Sequence, residues 1–177
     1  MTAASLRKLP SGRAAARGGR LADGLRVELA GPEETRALGE RIGRRARGGE
    51  LLALSGPLGS GKTTFVQGFA RGAGFHGNAV SPTFSIAREY RGRLVLHHLD
   101  LFRIAPGETA NLGLEELLAD PRGVCLIEWP EAAAGVLPAD RLELSFTHRR
   151  RGRSLRLRAR GPLSRKLLAA VSPHDPR

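Results

Sequence analysis

Eight consecutive residues, Gly56-Pro57-Leu58-Gly59-Ser60-Gly61-Lys62-Thr63, carry the clearest chemistry in this chain. They match the pattern G-x-x-x-x-G-K-[ST], in which glycines let the backbone curl until several N–H groups face one phosphate chain. A helix opening near Lys62 aims its positive end at the same point. Lys62 is then placed for the β- and γ-phosphates of a nucleotide, and the Thr63 hydroxyl for magnesium. The expected cradle comprises Gly56, Leu58, Gly59, Ser60, Gly61, Lys62, Thr63 and Thr64.

Phosphate hydrolysis also needs acids at strand ends close to the metal. Asp100 follows the run Leu94-Val95-Leu96-His97-His98-Leu99, and Glu128 follows Val124-Cys125-Leu126-Ile127. Taken singly, Asp100 could cap a helix and Glu128 could pair with a surface arginine. Beside a glycine loop, an apolar strand ending in an acid is the usual second half of the machinery. Glu128 is therefore expected as the principal magnesium partner, and Asp100 as a second acid that orients water or metal, with Lys62 completing the catalytic set.

Other residues are open to two readings. Ser81-Pro82-Thr83-Phe84 lies where nucleotide hydrolases often carry a phosphate-sensing switch, and it also fits an ordinary proline turn. His97 and His98 alternate on a strand, so one faces inward, and a satisfied core histidine is the plainer account. Trp129, directly after Glu128, reads alone as a core residue. Asp120-Pro121-Arg122-Gly123 superficially matches a GTPase switch but precedes its strand, and no Asn-Lys-x-Asp tetrapeptide is present, which favours adenine over guanine.

The elements that must hold these residues alternate between strand and helix. A short strand is expected at Leu25 to Leu29, and a helix opening at Gly31-Pro32-Glu33-Glu34, where proline and carboxylates suit the first turn. Glu50 to Ser55 reads as a buried strand feeding the loop, and Lys62 to about Ala73 as the following helix. Ser85 to Tyr90 and Arg93 to Leu99 form a hairpin about Arg91-Gly92. Leu112 to Leu118 is a short helix, and Gly123 to Ile127 a central strand. Leu142 to Phe146 and Leu155 to Ala159 make a second hairpin through His148 to Arg153, and a helix at about Pro162 to Val171 closes the domain. The fold class is α/β: a single P-loop NTPase-like domain with a central mixed sheet flanked by helices.

Composition sets the limits. The 177 residues, 41% hydrophobic, suit one domain with a real core. No apolar run approaches the roughly 18 residues of a membrane span, and no secretory apolar stretch opens the chain, so a cytoplasmic location is expected. The single cysteine, Cys125, excludes an internal disulfide and a cysteine-based metal cluster. The formal charge of +12 makes nucleic acid a candidate partner, although arginine scattered over a surface gives the same number. Residues 1–24 are expected as a flexible basic tail, 25–172 as the ATPase domain and 173–177 as a second tail.

Taken in order, Gly56 to Phe65, Ser81-Pro82-Thr83-Phe84, His98-Leu99-Asp100-Leu101-Phe102-Arg103, Leu112-Gly113-Leu114-Glu115-Glu116 and Ile127-Glu128-Trp129-Pro130-Glu131 resemble the bacterial TsaE family, formerly called YjeE. The resemblance covers about Leu25 to Arg160. It implies the ATPase subunit of the machinery that installs N6-threonylcarbamoyl on adenosine 37 of tRNAs reading codons that begin with A. Such a subunit acts with TsaD and TsaB, resets their assembly by hydrolysing ATP with magnesium, and does not itself transfer the carbamoyl group.

By the same resemblance, Lys62 serves the phosphates, Thr63 and Glu128 the magnesium, Asp100 catalysis, and Ser81, Pro82 and Thr83 a nucleotide-responsive switch. Trp129 becomes a site-edge or interface residue. Thr35 and the late hairpin at Gly152 and Arg153 are implied as further nucleotide contacts. Phe84 and Phe102 depart from the family pattern, standing where tyrosine is frequent.

Two other classes compete. A small-molecule kinase shares the cradle but needs an arginine-bearing lid, whereas Arg149-Arg150-Arg151 and Arg153 fall in a hairpin turn. A non-catalytic RNA-binding module needs a stacking platform, and aromatic residues are 5% of the chain, so tRNA contact is expected as an auxiliary property.

Overall fold

The fold is given by a computed structural model, which describes residues 17–21, 24–82, 85–105, 108–169 and 171. Among the described residues eight strands form one sheet: β1 (Arg17–Leu21), β2 (Gly24–Leu29), β3 (Leu51–Ser55), β4 (Ala87–Arg91), β5 (Val95–Asp100), β6 (Gly123–Glu128), β7 (Leu142–His148) and β8 (Arg153–Ala159). Their spatial order is β1-β2-β8-β7-β3-β6-β5-β4. The helices are α1 (Pro32–Arg45), α2 (Lys62–Gly72), α3 (Leu114–Ala119) and α4 (Pro162–Ala169).

The centre of the sheet is parallel, with β3 between β6 and β7 and β5 beside β6. Strands buried on both faces are apolar along their length, and Leu51, Leu52, Ala53 and Leu54 of β3 satisfy this, as do residues 123–127 of β6, whose last residue is Glu128. The flanks are antiparallel: β4 pairs with β5, and β1, β2, β8 and β7 run in alternating directions. Both expected hairpins are present.

Two apolar layers cover the sheet. The larger gathers Leu38 and Ile42 of α1, Phe65 and Phe69 of α2 and Leu167 of α4 against Leu52, Leu54, Leu126, Leu144 and Leu157. The smaller packs Leu114 of α3 and Ala133 against Leu51, Leu99, Cys125 and Ile127. Between α1 and α2 the approach is so close that a Cβ on Gly39 would stand 2.3 Å from the Phe65 carbonyl oxygen. The two helices therefore sit backbone to backbone, which fixes α2 and the loop at its start.

Some expected boundaries change. The basic tail was expected to run to residue 24, but Arg17–Leu21 form an edge strand on β2, because exposed edge groups of β2 accept a ladder that needs no apolar side chains. Residues 1–16 and the expected 173–177 tail lie outside the described residues. The first hairpin strand starts at Ala87, since Ser85 and Ile86 turn back onto the Pro82 carbonyl. Among the described residues no helix is long and apolar enough to cross a membrane.

Candidate functional site

The glycine loop lies between β3 and α2, and its shape depends on glycine. Gly56, Gly59 and Gly61 have φ of 131°, 71° and 107°, a region that side chains disfavour. Gly56 also has no room: a Cβ there would stand 2.5 Å from the Phe146 carbonyl oxygen. The loop closes one side of an open cleft of about 480 Å³, faced by Ser81, Asp100, Phe102, Arg103, Glu128 and Trp129.

Lys62, the first residue of α2, is buried, and its Nζ donates to the carbonyls of Gly56 at 2.7 Å and Pro57 at 3.1 Å. The ammonium also lies 3.9 Å from the centre of the Trp129 ring. Burial pulls its pKa below the usual lysine value, opposed by the charges of Glu128, Asp100 and Glu131. A cation held this way, with little water and three carboxylates nearby, is suited to a polyanion entering the cleft.

The acids converge because β5 and β6 are paired in register, with Asp100 opposite Glu128 at the carboxyl ends of both strands. Glu128 Oε1 accepts the Thr63 hydroxyl at 2.9 Å and His98 Nε2 at 2.9 Å. Asp100 Oδ2 accepts the Ser81 hydroxyl at 3.0 Å, while Oδ1 accepts the Phe102 N–H at 3.1 Å. Asp100 thus caps the following turn and lines the cleft at once.

Trp129 resolves in favour of the site edge. Directly after β6 the chain takes a left-handed conformation at Trp129, with φ of 58°, and the ring swings over Lys62 and against Phe102, whose ring centre is 4.8 Å away. The indole is part-buried and closes the rim of the cleft.

Not every expected residue reaches the cleft. Thr35 is buried in α1, where its hydroxyl donates to the Gly31 carbonyl at 3.0 Å, four residues back, and it does not line the cleft. Gly152 makes the β7–β8 turn with φ of 82°, and the Arg153 guanidinium abuts the loop, 2.3 Å from where a Cβ on Gly61 would stand. The late hairpin therefore touches the loop, although neither residue lines the cleft. Pro82 is buried beside Ser81, and Thr83 lies outside the described residues.

His98 is the functional candidate that sequence reasoning passed over as a core histidine. It is fully buried, bonded to Glu128, and its Nδ1 meets no hydrogen-bond partner among the described residues. Strand alternation carried the signal: residues two apart share a face, so His98 stands on the side of Asp100. His97, on the other face, lies near Glu89 and Asp120 instead.

No group of three or more His, Cys, Asp or Glu side chains is placed to hold a metal among the described residues. The cleft offers a hydroxyl and two carboxylates, the donor set of a hard cation that keeps waters and takes its remaining oxygens from a phosphate. Magnesium with a nucleotide fits these residues.

Comparison with known proteins bears on the family and the fold. Residues 29–155 match the family model described as threonylcarbamoyl adenosine biosynthesis protein TsaE. The chain is 39% identical over 155 residues to the tRNA threonylcarbamoyladenosine biosynthesis protein TsaE of Bacillus subtilis, covering 85% of this chain and 96% of that one. It is 34% identical over 125 residues to the TsaE of Haemophilus influenzae, covering 69% and 78%. The crystal structure of Bacillus subtilis YdiB superposes with a TM-score of 0.75 at 34% identity, covering 89% of this chain and all of that one. With its glycine loop, paired strand-end acids and mixed sheet, this chain belongs to the TsaE family.

Proposed function

We propose that this protein is the ATP-hydrolysing member of the machinery that makes N6-threonylcarbamoyladenosine at position 37 of tRNAs reading codons that begin with A. It would act with TsaD and TsaB and reset their assembly between turnovers. The observation that carries the ATPase reading is the convergence of Lys62, Thr63, Asp100 and Glu128 on one cleft beneath a glycine loop. The relatives' names, as tRNA threonylcarbamoyladenosine biosynthesis proteins, support the pathway.

Each residue has a role that follows from its contacts. The backbone N–H groups of the loop and the start of α2 would hold the phosphates, and Lys62 would leave the Gly56 and Pro57 carbonyls for them. Thr63 and Glu128 would hold magnesium, with Asp100 as the second acid. When bound with ATP, magnesium offsets charge that develops on the phosphoryl oxygens. His98 holds the Glu128 carboxylate on the cleft side. Asp100, tethered by Ser81, is suited to orient the attacking water, and Ser81 in turn would feel the loss of the terminal phosphate.

The rim of Trp129 and Phe102, with Phe102 and Leu58 exposed, is apolar for a polar cleft. A partner that covers it would exclude water and complete the site, so the isolated chain should turn over slowly. The test is ATP hydrolysis in magnesium by the purified chain, with and without TsaD, TsaB and tRNA, while modified adenosine is followed over many turnovers. Stimulated hydrolysis coupled to repeated modification supports the reading. Hydrolysis indifferent to those partners removes the resetting role and leaves an ATPase of another pathway.

A further inference from the structure

We propose that Tyr90 is a positioning residue for hydrolysis: its hydroxyl latches the chain at Val80 to the sheet and so holds Ser81 against Asp100, a role that rests on the ATPase reading above. Tyr90 is the single tyrosine of the chain and the one buried residue of β4. Its hydroxyl donates to the Val80 carbonyl at 2.6 Å and accepts the Val80 N–H at 3.1 Å. The next residue, Ser81, donates its own hydroxyl to Asp100 Oδ2 at 3.0 Å. One phenol on a strand therefore stands two links from the acid suited to orient the attacking water, although neither Tyr90 nor Val80 lines the cleft.

Packing alone does not require this hydroxyl. The Tyr90 ring lies 5.0 Å from the Phe75 ring and 6.2 Å from that of His98, contacts that a phenylalanine would keep. Val80 is 38% exposed, so water is at hand for its backbone groups without the phenol. What the hydroxyl adds is a fixed place for one backbone unit, gripped through its donor and its acceptor together. Burial raises the phenol above its ordinary value, opposed by the bond to the Val80 backbone, so at neutral pH the group keeps the proton that this double contact needs.

The same segment is held from its other end by the start of β4. Ser85 and Ile86 both donate their N–H groups to the Pro82 carbonyl at 2.8 Å, and the Asp100 N–H donates to the Ile86 carbonyl at 2.8 Å. Ile86 has φ of 66°, which is costly for a β-branched residue and persists only where the surroundings impose it. Asp100 is thus gripped through its backbone by Ile86 and through its side chain by Ser81. Ile86 adjoins β4 directly, whereas Ser81 lies in no strand or helix and owes its anchor to the Tyr90 latch on Val80. Removing that anchor frees the Asp100 carboxylate from its aim while Lys62, Thr63 and the glycine loop keep their contacts. The latch therefore acts on turnover and leaves ATP binding alone.

The experiment is steady-state magnesium-ATP hydrolysis by the full chain, by Tyr90→Phe, by Ser81→Ala and by the double variant. In each single variant kcat should fall roughly 10- to 100-fold, as for a group displaced beside the reacting atoms, with KM for ATP unchanged. The double variant should be no slower than Ser81→Ala, because the phenol acts through that serine. Wild-type kcat in either single variant, a raised KM in place of a lowered kcat, or losses that multiply in the double variant would overturn the proposal. If Tyr90→Phe loses its cooperative melting transition, amide hydrogen exchange of the wild-type protein decides: the Val80 N–H should be protected like the ladder between β4 and β5, and exchange at the rate of an open loop would overturn the latch. Absence of hydrolysis in the wild-type chain would remove the ATPase reading and this role with it, whereas wild-type hydrolysis matched by Tyr90→Phe removes this inference alone.

Discussion

Replacing Glu128 separates what its shape does from what its charge does. One oxygen, Oε1, accepts both the Thr63 hydroxyl and His98 Nε2, and the side chain is only 3% exposed. Glu128→Gln can present an amide oxygen at the same place, keeping both bonds while removing the negative charge. Glu128→Leu removes both bonds and strands the His98 donor in a fully buried position. An unpaired buried donor costs about 1–3 kcal/mol, which for a domain of this size lowers Tm by roughly 2–12 °C. Glu128→Gln should therefore melt close to wild type and Glu128→Leu well below it.

Activity should divide differently. A bond to a charged group is worth about 1.5–3 kcal/mol, so losing the carboxylate's charge toward magnesium should slow hydrolysis roughly 10- to 150-fold. Both variants should show this loss, along with a higher magnesium requirement, while metal-free ATP binding persists. Thermal melting, steady-state hydrolysis over a magnesium series and nucleotide binding in chelator read the three effects separately. Wild-type turnover in Glu128→Gln would refute the role of the charge. Equal melting of the two variants would refute the role of the hydrogen bonds.

Lys62→Ala should weaken ATP binding roughly 10- to 150-fold, since a buried, charge-assisted contact is lost; unchanged titration calorimetry would remove Lys62 from the phosphate site. For His98, glutamine places an N–H near the position of Nε2 and should restore most of the turnover and magnesium dependence that His98→Leu loses, a rescue that a purely space-filling role would not produce. Burial pushes the Cys125 thiol up to about 12, so iodoacetamide should leave native protein unmodified at neutral pH and alkylate it on unfolding. The same shift has a sign. The folded chain keeps this proton longer than the unfolded one, so the contribution is intact below the ordinary thiol value of 9.0 and is lost as pH rises toward about 12. Denaturant melts across that range should lose less stability in Cys125→Ala.

The glycine loop was legible in sequence because its chemistry is local: eight neighbouring residues specify backbone curvature, a cation and a hydroxyl without help from the rest of the chain. Strand-end acids were legible for a related reason, since an apolar run fixes where a buried strand stops. Asp100 and Glu128 could therefore be named, but their meeting required the register of β5 on β6. Pairings between residues 28 positions apart are set by tertiary packing, and no local pattern encodes them.

The same physics explains the misplacements. Thr35 sits in the right helix, yet its hydroxyl is taken up by the Gly31 carbonyl within α1, a local bond that residue type alone does not reveal. Residues 17–21 lack an apolar period but still form a strand, because an edge needs only backbone partners. His98 was visible as one of two alternating histidines, and only the β5–β6 pairing turned it toward Glu128. Trp129 followed its acid in sequence, but the left-handed turn at its own backbone carried the ring over Lys62. What the sequence by itself determined was the set of groups and the curvature that cradles phosphate, both short-range. Which acids meet, which histidine supports them and which ring closes the cleft were decided by strand register and helix packing, because these contacts join residues that only the folded sheet brings within hydrogen-bond reach.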